Sequence, residues 1–316
     1  MAKPGSKMTF RKREAILFYV MVSPFLLGFV FLKIFPMAYA FYLSFTNATG
    51  FNWDTMRVTG LKNYARILSD SDVLYSAGRT LLVAVIYVPL QLIFTNLIAL
   101  LLTRKIKAVG VFRTIYYIPS LVPMVAGGLM WKTIYSTDGV FNQILGLFGI
   151  NISFLGYDWC TLSMIFMMLW GLGTGLLVTI AAIKNVPGEL YEAAEIDGIS
   201  PFQRYIRITL PLITPINLYN LLMGIIGALQ IYAQPVMIST SPSGAQSSGG
   251  ILAVPLKPNY LYLVHIYQQI FSQQRFGYGM ALIWVLLVVI VGLTLIVLKT
   301  SRKWVTYEID QDGGNN

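Results

Sequence analysis

The chain has 316 residues, 56% of them hydrophobic and only 11% charged, with a formal net charge of +10. A soluble domain carries about 25% charged residues, so this composition belongs to a membrane protein. One cysteine (Cys160) excludes an internal disulfide, and one histidine (His265), with no Cys or carboxylate cluster beside it, argues against a metal site.

Residues 1–14 form a basic tail holding Lys3, Lys7, Arg11, Lys12 and Arg13. The apolar run from Ala15 to about Tyr42 is too long for a cleaved signal core and is read as a retained first span. Lys33 near its far end can extend to the interface. The polar segment from Thr46 to Arg79 places Leu61, Tyr64, Ala65 and Leu68 at helical spacing, which predicts a short amphipathic helix against the membrane surface. A second span follows over about Thr80–Leu102. The third, about Thr114–Tyr135, contains Pro119, Pro123 and Gly127-Gly128 and is expected to be kinked. The fourth, about Thr161–Ile183, carries Gly171 and Gly175 at i, i+4, a spacing that lets a neighbouring backbone approach. The fifth runs about Leu212–Ile238, and the sixth about Met280–Leu298. Between these two, the stretch 239–278 reads as the longest outside loop. The fold class is therefore an all-α polytopic membrane protein of six transmembrane helices. Its domains are the tail 1–14, a transmembrane domain 15–303 with a loop at 184–211, and a C-terminal tail 304–316.

That loop is the polar exception in the second half of the chain, with Glu189, Glu192, Glu195 and Asp197 in one short run. Its punctuation predicts two short helices at an angle. Pro187 precedes the first, Gly198 suits a left-handed cap, Ser200 an N-cap, and Pro201 the first position of the second. Leu190, Ala193, Ala194 and Asp197 share one face of the first helix, and Glu189, Glu192 and Glu195 another. On the second helix Phe202, Tyr205, Ile206 and Thr209 lie opposite Arg204 and Arg207. Taken alone, such a segment is also what a solvated connection between two spans looks like.

Six spans put both termini on one side. The N-terminal tail, Arg104–Arg113, the 184–211 loop and the C-terminus hold fifteen of the 23 Lys/Arg, so this side is expected to be cytoplasmic. The same distribution accounts for the net charge without nucleic acid.

No Gly-x-x-x-x-Gly-Lys-Ser/Thr occurs, so the chain holds no such phosphate loop of its own. One His and one Cys give no plausible nucleophilic triad. Spans two, four, five and six as drawn contain no Asp, Glu or His, which argues against an ion-driven carrier. They do contain Trp170 and Thr174, and Asn217, Asn220, Gln230, Tyr232 and Gln234. Amides and aromatic faces suit a neutral polyhydroxylated ligand; interhelical hydrogen bonding accounts for the same residues equally well.

Glu192-Ala193-Ala194, then Asp197-Gly198, then Ile208-x-Leu210-Pro211 resembles the "EAA" loop of binding-protein-dependent ABC importer permeases. The resemblance extends along the chain to the carbohydrate branch, the first maltose-type permease subunit. It is carried by Pro36–Phe45, Gly60-Leu61-Lys62-Asn63-Tyr64, Phe112-Arg113-Thr114 through Pro119, Trp131, Asn142, Pro187-x-Glu189-Leu190-Tyr191, Ile266-Tyr267-x-Gln269 and Phe276-Gly277-Tyr278. It implies a sugar importer in the bacterial plasma membrane, working by alternating access. The implied partners are a second, homologous permease, two cytoplasmic ATP-binding subunits holding ATP and Mg, and an extracytoplasmic solute-binding protein. This chain itself would hold no cofactor and catalyse no reaction. The resemblance implies ATPase coupling through Glu192, Ala193, Ala194, Asp197 and Gly198, and a substrate path near Trp170, Gly171, Thr174, Leu229, Gln230, Tyr232 and Gln234. The asparagines of the maltose-type fifth span are not reproduced here. The competing classes are an ATP-independent carrier of a neutral solute and a membrane scaffold with no ligand.

Overall fold

The computed structural model describes residues 10–50, 54, 56–104, 107–238 and 254–306. Among them it is helical almost throughout, with one isolated antiparallel bridge, Thr46 to Val58. Helix α1 (Phe10–Ser44) runs 35 residues, about 50 Å at 1.5 Å per residue, which exceeds the ~30 Å hydrocarbon core. A π-helical turn, Val30–Ile34, lies just ahead of Pro36, whose ring removes an N–H and crowds the carbonyl four residues back. Most of α1 is exposed; Leu43 and Ser44 in its last turn are buried.

Helix α2 (Lys62–Ser69) forms where the amphipathic spacing predicted it, but it buries a different face. Ile67 is 5% exposed, whereas Leu61 and Leu68 are 68% and 78% exposed. The reason is that α2 leans on protein. Asn63 Nδ2 donates to the carbonyls of Ser44 and Thr46, both at 2.8 Å, and the Arg66 guanidinium sits 4.5 Å over the Tyr278 ring.

Helix α3 (Ser71–Thr103) begins well ahead of the predicted Thr80 and carries Asp72 in its first turn. Asp70 caps it, accepting from the Asp72 N–H at 3.0 Å and from the Tyr278 hydroxyl at 2.8 Å. Burial raises the pKa of the Asp70 carboxyl, and those hydrogen bonds outweigh burial and hold it below the usual carboxylate value.

Three of the predicted spans are bent pairs. The third is α4 (Val109–Leu121) and α5 (Met124–Ile134), which meet at 105°; this is a break rather than a kink. Val122, held extended ahead of Pro123, cannot continue the first helix. A short α6 (Val140–Gly146) follows. The fourth is α7 (Cys160–Trp170) and α8 (Gly173–Lys184), bent 49° at Gly171-Leu172. Then come α9 (Gly188–Ile196) and α10 (Pro201–Leu212), the latter turning 74° into α11 (Thr214–Leu229). With each pair as one span, and with α1, α3 and the last helix, the described residues hold six segments long and apolar enough to cross a membrane. Helix α12 (Ala233–Ile238) continues the fifth after a break at Gln230–Tyr232.

The expected outside loop is corrected in its second half. Its residues 239–253 lie outside the described set, but Leu261, Val264, His265 and Ile266 are at most 2% exposed in and beside α13 (Tyr262–Tyr267). The turn before it is pinned between α3 and α7. Arg79 Nε donates to the Pro258 carbonyl at 2.8 Å, the Asn259 amide bonds Thr161 Oγ1 and the Cys160 carbonyl, and Tyr262 N–H donates to Thr80 Oγ1.

Helix α14 (Phe276–Ser301) closes the bundle. At its start Gly277 lies so close to the Thr46 carbonyl that an added Cβ would collide with backbone. Gly277→Ala is therefore expected to lower stability by about 1–3 kcal/mol. Gly292→Ala, with open space at the same helix, should be neutral or slightly stabilising. Thermal unfolding of both variants in detergent checks the contrast.

Candidate functional site

Two places concentrate the sequence-predicted residues. The first is the elbow of α9 and α10. The Gly198 N–H donates to the Glu195 carbonyl at 3.1 Å and the Ile199 N–H to Ala194 at 3.0 Å, the paired bonds of a Schellman cap. This geometry needs a left-handed residue, and Gly198 has φ +68. Ser200 and Gln203 then form a reciprocal capping box. The Tyr191 hydroxyl and Thr209 Oγ1, 2.8 Å apart, tie the two helices together, and Arg204 reaches Glu195 at 3.9 Å.

The helix termini thus fall where the sequence put them, while the faces divide differently. Ala194 is 3% exposed and packs into its own chain, so the face expected to pair it with Ala193 is split. Outward stand Glu192, Ala193, Glu189 and Asp197, beside Ile196 at 87% and Phe202 at 74% exposure. An exposed apolar pair set among carboxylates is a surface suited to a partner.

The second place is a cleft of about 570 Å³ in the middle of the bundle. Two helix breaks open onto it. Gly171 and Thr174 come from the α7/α8 bend, and Gln230, Tyr232 and Gln234 from the α11/α12 break. A broken helix inside a membrane protein is tolerated where its freed backbone lines a cavity. Tyr232 stacks on Tyr267, with ring centroids 3.9 Å apart and planes 18° off parallel.

Trp170 borders an adjoining cavity of about 240 Å³ that shares Gly171 and Gln234 with the cleft; its ring meets Trp131 edge-on at 5.9 Å. Leu229 does not join them. It is 3% exposed and packs with Ile67, Tyr262 and Leu286 in another core cluster.

Other polar span residues serve packing. Asn220 Nδ2 donates to Thr179 Oγ1 and Asn96 Nδ2 to Asn217 Oδ1, both at 2.9 Å, so interhelical hydrogen bonding accounts for Asn217 and Asn220. The expected close approach in span four is made by Gly173 against Ser120 and the Tyr116 carbonyl, with Gly175 against Asn220. Gly171 instead borders open space.

The sequence reading missed Tyr87 and Gln91 of α3 and Tyr267 of α13, all lining the cleft. Gln91 Oε1 is buried with no hydrogen-bond partner among the described residues. A Tyr and a Gln at i, i+4 in an otherwise apolar run were the available signal. Among the described residues no charged side chain lines the cleft; its amides, hydroxyls and rings can bind hydroxyl groups and the apolar face of a sugar ring.

Residues 96–310 match the family of binding-protein-dependent transport system inner membrane components. The chain is 32% identical over 306 residues to the probable ABC transporter permease protein YesP of Bacillus subtilis, covering 95% of each. It is 31% identical to the trehalose/maltose transport system permease protein MalF of Thermococcus litoralis, covering 92% of this chain and 95% of that one. With the arabinooligosaccharides permease AraP of Halalkalibacterium halodurans it shares 28%, over 95% and 93%. Among solved structures, a bacterial ABC transporter that imports the polysaccharide alginate has the same fold, with TM-score 0.78, 22% identity and coverage of 92% and 96%.

Proposed function

Since the chain belongs to the family of binding-protein-dependent transport system inner membrane components, we propose that it is the permease subunit of an ATP-driven sugar importer. It is a multi-pass membrane protein, and relatives named for trehalose/maltose and arabinooligosaccharides cover nearly its whole length. The observation that carries the reading to this chain's own residues is the central cleft, uncharged and lined by Gln91, Thr174, Gln230, Tyr232 and Gln234. Its substrate is an oligosaccharide or related polyol whose recognised part is neutral.

In this proposal the second permease completes the path, and an extracytoplasmic binding protein delivers the sugar. A solved complex of the alginate importer with its periplasmic protein is consistent with such an assembly. One of two ATP-binding subunits docks on the α9–α10 elbow, which lies on the cytoplasmic side with both termini, and the other docks on the second permease. Glu192 makes the polar contact and Ala193 lets the partner approach. Gly198 holds the bend, Ala194 fixes α9 to the bundle, and Asp197 ends the helix. ATP and Mg reside in those subunits, and this chain carries neither. ATP shifts the bundle between inward- and outward-open states only as far as its differential affinity for the two engine states, transmitted by the elbow.

The test is uptake into proteoliposomes. The importer needs ATP and the binding protein together, whereas a carrier needs neither. Within this frame Tyr232→Ala, which removes a stacked ring from the cleft, is expected to weaken the sugar's apparent affinity about tenfold, the size of one lost aromatic contact. The concentration dependence of uptake checks it.

A further inference from the structure

A separate cavity of about 600 Å³ lies between the elbow and the span ends, and the transport path does not use it. Its walls come from α3, α8, α9 and α10, and three of these contribute one cation each: Arg104 at the end of α3, Lys184 at the end of α8, and Arg204 of α10. Among the described residues no carboxylate lines it. The helix C-termini account for Arg104 and Lys184, since each cation offsets a terminal partial negative charge. They do not account for Arg204. Its nearest ion partner, Glu195, stands 3.9 Å away and is itself 77% exposed. Its Nε is buried with no hydrogen-bond partner among the described residues, a costly state for a guanidinium. Tyr191 and Thr209 add a pair of hydroxyls bonded to one another, which leaves one hydroxyl hydrogen available to an acceptor. Leu100, Ile183, Val186 and Pro201 give the wall an apolar part, beside Thr103 and Tyr205.

We propose that this cavity binds a phosphate-bearing anion, the headgroup of an acidic phospholipid in the adjacent leaflet. Guanidinium and ammonium groups with a hydroxyl are the donor set a phosphate takes, and the apolar wall is the continuation a free phosphate would not need. Each basic residue near an anionic surface strengthens such attraction. A bound headgroup bridges the ends of α3 and α8 to α10, and so links the elbow to the spans it is meant to move. The acidic leaflet rests on the inward orientation proposed above; the anion chemistry does not.

The test uses the purified complex in nanodiscs of phosphatidylcholine containing graded phosphatidylglycerol, with bound phosphatidylglycerol counted by mass spectrometry. The wild type should retain it saturably. Lys184→Gln and Arg104→Gln, at exposed positions, should each weaken retention about fivefold. Glu195→Gln, which removes the ion pair and keeps the cavity, should retain it at least as well as the wild type. Equal retention in the wild type and both glutamine variants overturns the proposal. Displacement of the lipid by millimolar inorganic phosphate overturns the lipid as occupant. Retention is read without transport, so a failure of the importer reading leaves this result intact.

Discussion

Glu192→Lys is expected to leave the chain folded and inserted while lowering sugar uptake and sugar-stimulated ATPase activity about a hundredfold. Glu192 is exposed on α9 and its side chain makes no hydrogen bond or ion pair among the described residues, so its replacement removes no contact within the chain. The loss must then arise at a partner. Placing like charges across an interface costs several kcal/mol, and about 2.7 kcal/mol is already a factor of a hundred. Glu192→Gln, which removes the charge without reversing it, should fall in between. Uptake and ATPase measured together in proteoliposomes check both variants, and wild-type values for Glu192→Lys would remove the elbow from the mechanism.

Gly171→Leu is expected to block the path in an otherwise intact protein. The backbone there has φ −92 and ψ 29, which an L-residue can adopt, and the nearest atom to an added Cβ is the Met168 carbonyl at an ordinary 3.6 Å. The side chain enters the cleft shared by Thr174 and Tyr232, where overfilling costs about 1–3 kcal/mol. Uptake should fall roughly ten- to a hundredfold while the complex still assembles, as size-exclusion chromatography would report. Gly173→Leu, two residues on, should instead fail to assemble, because its Cβ would come within 2.7 Å of Ser120 Oγ and 3.2 Å of the Tyr116 carbonyl. Two leucines at neighbouring glycines thus separate the path from the packing.

The features visible in the sequence were those that local chemistry settles. Pro187, Gly198, Ser200 and Pro201 each satisfy or replace specific backbone groups, so their positions fix the ends of α9 and α10. Direction within a helix was less visible. Ala193 and Ala194 are equivalent in type, and only the packing of the folded bundle turns Ala194 inward. Likewise Ile67, rather than Leu61 or Leu68, meets the start of α14, because a surface from the far end of the chain arrives there.

In sequence, Tyr262–Tyr267 is an apolar stretch too short to span a bilayer. Its burial depends on Arg79, Thr80 and Thr161, all distant in sequence. Gln230–Tyr232 breaks the fifth span, and the signal available was Pro235, whose ring crowds the carbonyl four residues back, that of Ile231. Five of the seven path candidates nonetheless line the one cleft, since polar and small residues in apolar spans are costly enough to be placed. Trp170 borders it, and Leu229, with no polar group to direct it, faces the other way.

The most direct measurement is cross-linking from the elbow. In a Cys160→Ser background, Glu192→Cys is labelled with a reducible thiol cross-linker in inside-out vesicles containing the assembled transporter. The account predicts a covalent product with the ATP-binding subunit, arrest of ATP-driven uptake, and recovery of uptake on reduction. Labelling of that position by an impermeant reagent in right-side-out vesicles, or uptake unaffected by the cross-link, would contradict it.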